Sequence, residues 1–325
     1  MRLLVTGGTG LLGNNIVRLA IERGAIVSTL CRSDRNSPAF HGLDVHVHSV
    51  DLAEPDALKR VFEEQYDAVI HCAAHIHIGW QQRNVGMRIN RDGTERLLAE
   101  CSKQKLRFIH VSTINTLSLG TRERPADENT TGGGQVPCTY VVTKQAAEQR
   151  AIEASNRGQD VVIVHPGFML GPWDWKPSSG RMIQGLRGFV PLAPSGGCTV
   201  CDPRDVAAAT LQAIERGIAG RHYILGGENL TYLDLWRRIS SALGKRGPWT
   251  YMRLPAKLVA GAVGDLIGTI KRNEPDINSA AISMASQFHW YSSQRAIDEL
   301  GYSPRPVDDS IRDAVEWLRS HRLLV

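Results

Sequence analysis

Tyr140 and Lys144 are the residues whose types and spacing point most directly to chemistry. They stand four apart in Tyr140-Val141-Val142-Thr143-Lys144, at the start of a segment read as a helix, so a phenol and an ammonium share one helix face. A nearby ammonium favours the phenolate, and the pair is expected to lower the tyrosine's pKa towards working pH, as an acid/base catalyst requires. Ahead of them stands Thr113, a hydroxyl at the carboxyl end of an apolar run, where it would meet a ligand lying over a sheet. The pair Ser112-Thr113 suits a turn equally well. At the N-terminus, Thr6-Gly7-Gly8-Thr9-Gly10-Leu11-Leu12-Gly13 contains the G-x-G-x-x-G spacing at Gly8, Gly10 and Gly13. The absent side chains let the turn close, let backbone approach a pyrophosphate, and let the following helix pack on a sheet. The helix N-terminus at Leu11 and Leu12 then faces the anion.

These residues need a frame to hold them. The apolar run 2–5 reads as a buried parallel strand, and residues 14–23 as a helix with Ile16, Val17, Leu19, Ala20 and Ile21 on its packed side. Strands are expected at 25–31, 45–50, 68–71 and 107–111, with helices at 55–64, from Asn90 to Cys101, and from Tyr140 onward. This alternation calls for a parallel, doubly wound α/β sheet that binds ligands outside the carboxyl ends of its strands. Cys72-Ala73-Ala74 falls at such an end, where small residues let a cofactor lie close to backbone. Cofactor choice is expected at the end of the second strand. Cys31 stands where an NAD site has a carboxylate, and Arg32 follows with Ser33 and Arg35 nearby, so NADP(H) is expected rather than NAD(H). The polar loop 117–137, with Gly132, Gly133 and Gly134, reads as a mobile flap.

Composition narrows the function classes. The 325 residues are 42% hydrophobic and 22% charged, ample for a sizeable core, and the net charge of +5 is not gathered into runs, which gives no support to a nucleic-acid partner. No signal-peptide pattern precedes Arg2, so a cytoplasmic protein with reduced thiols is expected. His71, His75 and His77 lack a matching Cys or carboxylate set, and Cys198-x-x-Cys201 lacks a second pair, so no metal is expected. The apolar segment 254–270 carries Lys257 and Asp265 and falls short of a membrane span. Its stripe of Leu258, Ala262, Leu266 and Ile270, flanked by Val259, Val263 and Ile267, reads as a core or subunit contact rather than a membrane-surface helix. No membrane partner is expected.

Taken in order, these residues resemble the extended short-chain dehydrogenase/reductases of the epimerase/dehydratase family. The resemblance runs through Thr6-Gly7-x-x-Gly10-x-x-Gly13, Asp51-Leu52, Ala73-Ala74, Asn90, Thr113, Tyr140-x-x-x-Lys144, His165-Pro166-Gly167 and Asp202-x-x-Asp205-Val206-Ala207. Further likeness, to dihydroflavonol reductase-like and hopanoid-associated sugar epimerase proteins, lies in Gly171-Pro172-Trp173-Asp174-Trp175-Lys176-Pro177 and Tyr223-Ile224-Leu225-Gly226-Gly227-Glu228-Asn229. It implies a Rossmann-type domain over 1–167, with 200–222 returning to it, and a smaller, mainly substrate-binding lobe over 168–325. It also implies that Tyr140 exchanges a proton with the substrate oxygen, Thr113 hydrogen-bonds that oxygen, Lys144 grips the nicotinamide ribose and Asn90 supports a relay water. Asp51, Leu52, Pro166 and Gly167 would join the cofactor site, and His75, Trp80, Met169 and Arg181 the substrate site. Trp173, Trp175, Met182 and Phe189 are further candidates for an apolar pocket wall, with a core role favoured for any one of them. Thr113 replaces the commoner serine while keeping the hydroxyl, and Ile114-Asn115 replaces the Asp-Glu of sugar-nucleotide dehydratases, which counts against dehydration. The expected function is NADP(H)-dependent reduction of a small carbonyl compound, or oxidation of the alcohol, by a homodimer. The alternatives are a nucleotide-sugar epimerase, with Lys176, Arg181 and Arg187 on a diphosphate, and a non-catalytic NADP(H)-sensing regulator.

Overall fold

The computed structural model describes residues 1–32, 37–54, 56–271 and 273–324, so Ser33, Arg35 and Pro55 lie outside the described residues. Seven strands form one parallel sheet: β1 (Arg2–Thr6), β2 (Ile26–Cys31), β3 (Val45–Ser49), β4 (Ala68–His71), β5 (Arg107–Val111), β6 (Val161–Pro166) and the strand His222–Leu225. Their order is His222–Leu225, β6, β5, β4, β1, β2, β3. The central strands are continuous apolar runs because helices cover both faces: Leu3, Leu4 and Val5 in β1 and Val161 to Val164 in β6 are all buried. From β1 the chain winds outward through β2 and β3, then crosses to β4 on the other side of β1. The switch point therefore lies between β1 and β4, where an open α/β sheet leaves a crevice.

The turn after β1 fits into that crevice only without side chains. Gly7 has φ +76°, and a Cβ there would lie 2.8 Å from the Ala73 nitrogen. At Gly13, inside α1 (Leu11–Glu22), a Cβ would come within 2.2 Å of the Gly7 carbonyl oxygen. Gly8 instead packs on Thr29 of β2.

Several elements differ from expectation. The helix expected over 55–64 is only α2 (Ala57–Val61), and the one expected to begin at Asn90 begins earlier. α3 (Arg83–Gly86) runs through a widened π turn, Met87–Asp92, into α4 (Gly93–Lys103), which leaves Asn90 in mid-helix. Such single widened turns gather at functional sites. The loop 117–137 before α5 (Thr139–Asn156) is anchored at its middle, which counts against a freely hanging flap. Ala126 is buried, its N–H donates to the Trp290 carbonyl at 2.9 Å, and Glu128 accepts from the Ile224 N–H at 2.8 Å.

Beyond β6 the chain adds a small sheet of Phe168–Met169, Gly197–Cys201, Glu228–Thr231 and Phe288–His289. The last helix, Val307–Ser320, packs here through Ile311, Ala314, Val315 and Leu318. Trp173, Trp175 and Met182 join the same core, so they are packing residues and not a pocket wall. Of the two roles expected for the stripe of the helix Leu254–Lys271, core or subunit contact, the first does not hold: the buried positions are Gly261, Gly264 and Gly268, while Leu258, Val259, Val263, Leu266, Ile267 and Ile270 are exposed. It is not a core element. No helix among the described residues is long and apolar enough to cross a membrane.

Because the Gly13 contact is with backbone, Gly13→Ala cannot be absorbed by a rotamer change. Denaturant unfolding should show a loss of about 1–3 kcal/mol, the usual cost of overpacking. Gly185→Ala, with nothing within 4 Å of the added carbon, should leave stability unchanged. Equal effects of the two substitutions would contradict the close approach.

Candidate active site

A cavity of about 480 Å³ opens over the carboxyl ends of the strands at the switch point. Its floor is the glycine turn: Gly7, Gly10, Leu11, Leu12 and Gly13 all line it. Among the described residues no side chain caps α1, so its first N–H groups and the positive end of its dipole face the cavity, an arrangement suited to a phosphate. At one end stand Arg32, Asp51 and Leu52, brought together because the Val50 N–H donates to the Cys31 carbonyl at 3.1 Å. Ala73 and Ala74 form the middle, and Ser112, Thr113, Tyr140, Lys144, Pro166 and Gly167 the other end. Residues from six separate strand ends thus converge on one elongated crevice.

The electrostatics of the Tyr140 end correct the expected lowering of its pKa. Burial pushes the phenol up; a hydrogen bond with Thr113 opposes this but does not overcome it. The Lys144 ammonium supplies no compensating pull, since it donates to the Val111 carbonyl at 2.7 Å and burial lowers its own pKa to about 8. Tyr140 is therefore protonated at neutral pH, a state able to give a proton. Behind this wall the Ser112 hydroxyl bonds Glu148. Burial raises the Glu148 carboxyl, but His165, Ser112, Thr116 and His222 outweigh it and hold the group below its usual range.

Asn90 does not line the cavity. Its Oδ1 accepts from the His75 N–H at 2.6 Å, and its Nδ2 donates to the His75 carbonyl at 3.0 Å and to Thr143 Oγ1 at 2.9 Å. It clamps the segment after β4 to α5. The expected substrate residues divide. His75 and Met169 line the cavity, and the buried Nε2 of His75 has no partner among the described residues. Trp80 and Arg181 point elsewhere: Trp80 donates through Nε1 to Ser279 Oγ at 2.8 Å, and Arg181 pairs with Asp276 at 2.8 Å. Lys176 reaches the cavity, whereas Arg187 donates to the Gln184 carbonyl. Ile76, on the loop after β4, and Ile89, in the π turn Met87–Asp92, also line the crevice beside Cys72, and neither was singled out by the sequence.

The histidines are polar struts. His71 Nε2 lies 2.9 Å from Thr94 Oγ1, whose proton goes to the Asn90 carbonyl, so Nε2 carries the ring proton and Nδ1 accepts from Thr6 at 2.7 Å. His77 contacts Glu274 at 2.6 Å. Cys198 and Cys201 face opposite sides of their strand and belong to different core clusters, and burial raises both thiols, Cys198 to about 12.

A seven-stranded parallel sheet with such a crevice at its switch point is a Rossmann-type nucleotide-binding fold. The chain belongs to the NAD dependent epimerase/dehydratase family, which matches residues 3–226. It is 30% identical to a putative dihydroflavonol 4-reductase of Synechocystis, over 98% of this chain and 94% of that protein. It is 29% identical to sterol demethylase protein B of Methylococcus capsulatus over the whole of both chains. Among solved structures it resembles gox2253, with 30% identity, a TM-score of 0.85 and 98% of each chain covered. The protein is an NAD(P)-dependent enzyme.

Burial holds four rings neutral: His71, lowered to about 3, His222 and His289, each to about 4, and His110. Unfolding returns them to about 6.5, so between roughly pH 6.5 and 4 the unfolded chain binds more protons and stability rises with pH. Unfolding free energy should therefore fall steadily on acidification from about pH 7 to 5, with a smaller slope in His289→Gln. A flat profile over that range would contradict the neutral assignment.

Proposed function

We propose that the protein is an NADP(H)-dependent oxidoreductase acting on the carbonyl or alcohol carbon of a small molecule. The observation that carries this reading is the meeting of Thr113, Tyr140 and Lys144 in the same crevice that the glycine turn floors and Arg32 borders. Gly7, Gly10, Leu11, Leu12 and Gly13 would hold the pyrophosphate through backbone, and Ala73, Ala74, Pro166 and Gly167 leave room along it. Arg32, exposed at the rim beside Asp51 and Leu52, offers the charge that a 2′-phosphate needs. When bound, the nicotinamide supplies the hydride. Tyr140 gives its proton to the substrate oxygen, and Thr113 hydrogen-bonds that oxygen and fixes the direction of approach. Lys144, buried one helical turn on and lining the same end of the crevice, would grip the nicotinamide ribose. His75, with an unpartnered ring nitrogen, and Met169 meet the substrate. The epimerase alternative needs a diphosphate grip, and its three candidate cations do not assemble: Lys176 lines the crevice, whereas Arg181 and Arg187 are bonded elsewhere.

Two measurements test the reading. Tyr140→Phe should keep NADPH binding and lose ~10²–10⁴-fold in turnover on a carbonyl panel, with the parent consuming one NADPH per product. Isomerised sugar nucleotide without net NADPH loss would favour the epimerase; ligand-dependent partner binding without turnover in the parent would favour the regulator. Arg32→Ala should weaken NADPH by about 1.5–3 kcal/mol and leave NADH nearly unchanged. Equal losses for both cofactors would overturn the NADP(H) assignment.

A further inference from the structure

The helix Leu254–Lys271 turns its large side chains away from the protein. Leu258, Val259, Leu266 and Ile270 are each at least 60% exposed, and they form with Val263 and Ile267 a continuous apolar face. The reason is on the opposite side. A Cβ on Gly264 would lie 2.0 Å from the Ile277 carbonyl oxygen, and one on Gly261 3.2 Å from the Ser279 Cα, so the glycine face is pressed onto the segment that follows. Asp265 fixes the rotation by accepting from the Ser279 N–H at 3.0 Å. The helix cannot roll to bury its apolar face without losing these contacts.

Exposed apolar side chains also lie beyond both ends of the helix. Ahead of it, Trp249 and Tyr251 are exposed, and Trp249 packs on the exposed Phe189 at a ring separation of 4.9 Å beside Lys245 and Arg246. Beyond it, the loop carrying the exposed Ile78 and Trp80 is bonded to the turn after the helix: Asn278 donates to the Ile78 carbonyl at 2.8 Å, and Glu274 accepts from the Trp80 N–H at 3.0 Å.

Charge indicates what covers this surface. Among the described residues the exposed charged groups at the ends of the helix are Arg253 and Lys271; Lys257 shares the packed side with Gly261, Gly264 and Gly268, where its ammonium donates to Ser195 Oγ. The nearby carboxylates are engaged: Asp265 with Ser279, Glu274 with His77 and backbone, and Asp276 with Arg181. A second copy of the chain, laid on the same face about a two-fold axis, would bring basic ends against basic ends, with the nearby carboxylates already bonded within each chain. An apolar strip with a basic group at each end and flanking Trp and Tyr instead matches the boundary between acyl chains and anionic headgroups. The helix is unsuited to spanning, and its 18 residues would lie along the surface for about 27 Å.

We infer that the helix Leu254–Lys271, with its flanking aromatic residues, docks the protein in the plane of an anionic phospholipid surface. Ile76 is both exposed and part of the crevice lining, on the loop that leads to Trp80, so docking brings the crevice rim towards the lipid. A lipid-soluble carbonyl compound would then reach Tyr140 from the bilayer; that consequence rests on the oxidoreductase reading, whereas the docking does not.

The test is co-sedimentation of the full chain with phosphatidylcholine vesicles containing about a third phosphatidylglycerol, and with pure phosphatidylcholine vesicles, alongside solution mass by light scattering. The parent should pellet with the anionic vesicles, more weakly with the neutral ones, and less as salt is raised. A double variant, Leu258→Glu with Leu266→Glu, should bind about tenfold or more weakly while keeping its melting temperature and mass, since both side chains are exposed. Lys271→Glu should weaken binding to the anionic vesicles alone. Failure of the parent to bind anionic vesicles, or undiminished binding by the double variant, would overturn the proposal. A fall in mass in the double variant would overturn it in favour of a second copy.

Discussion

A chain of buried hydrogen bonds ties the glycine turn to the helix that carries Tyr140, and the rest of the site depends on it. Thr6 at the end of β1 accepts from the Ala73 N–H at 3.1 Å and donates to His71. His71 donates to Thr94, Thr94 to the Asn90 carbonyl, and Asn90 through its side chain to Thr143 on α5. Each member is almost wholly buried, so each must be satisfied, and a break at one point leaves a neighbour unpaired. The polarity of the chain agrees with neutral His71, the state that burial favours. Its two ends, the close approach of Gly7 to Ala73 and the face shared by Tyr140 and Lys144, lie at opposite parts of one crevice.

This arrangement divides the labour of the site. Backbone at the glycine turn faces the region suited to phosphate, where side chains would intrude. Side chains act at the other end, where Thr113 touches the phenol and Lys144 is held against Val111. A phenol raised by burial starts protonated, which suits giving a proton in the reductive direction. Ser112 and Glu148, behind the wall, hold Thr113's strand end in place through His165, which lies 3.1 Å from the Thr113 carbonyl.

Much of this was legible in the sequence because it is local. A glycine turn between a strand and a helix, a continuous apolar run, and a Tyr-Lys pair one turn apart all declare their geometry within a few residues. What was not legible depends on partners distant in the chain. Four-residue spacing puts Lys144 beside Tyr140, but nothing near it in sequence shows that its ammonium bonds Val111, which removes the expected pull on the phenol. Arg181 looks like a phosphate ligand until Asp276 is beside it. Asn90 reads as a helix start because the preceding residues lack a clear period, and a π turn is what breaks that period. The helix Leu254–Lys271 shows its stripe plainly, yet periodicity does not say which face is buried, and here three glycines are the packed side.

The central claim is that the crevice across the β1/β4 switch point orients a dinucleotide with its nicotinamide at Tyr140. A crystal structure with NADP⁺ bound tests it most directly. The account predicts the pyrophosphate over Gly10 to Gly13, the 2′-phosphate at Arg32, and the nicotinamide ring between Tyr140 and Pro166–Gly167. A dinucleotide lying in the opposite direction, with adenine at Tyr140, or bound away from the glycine turn, would contradict it.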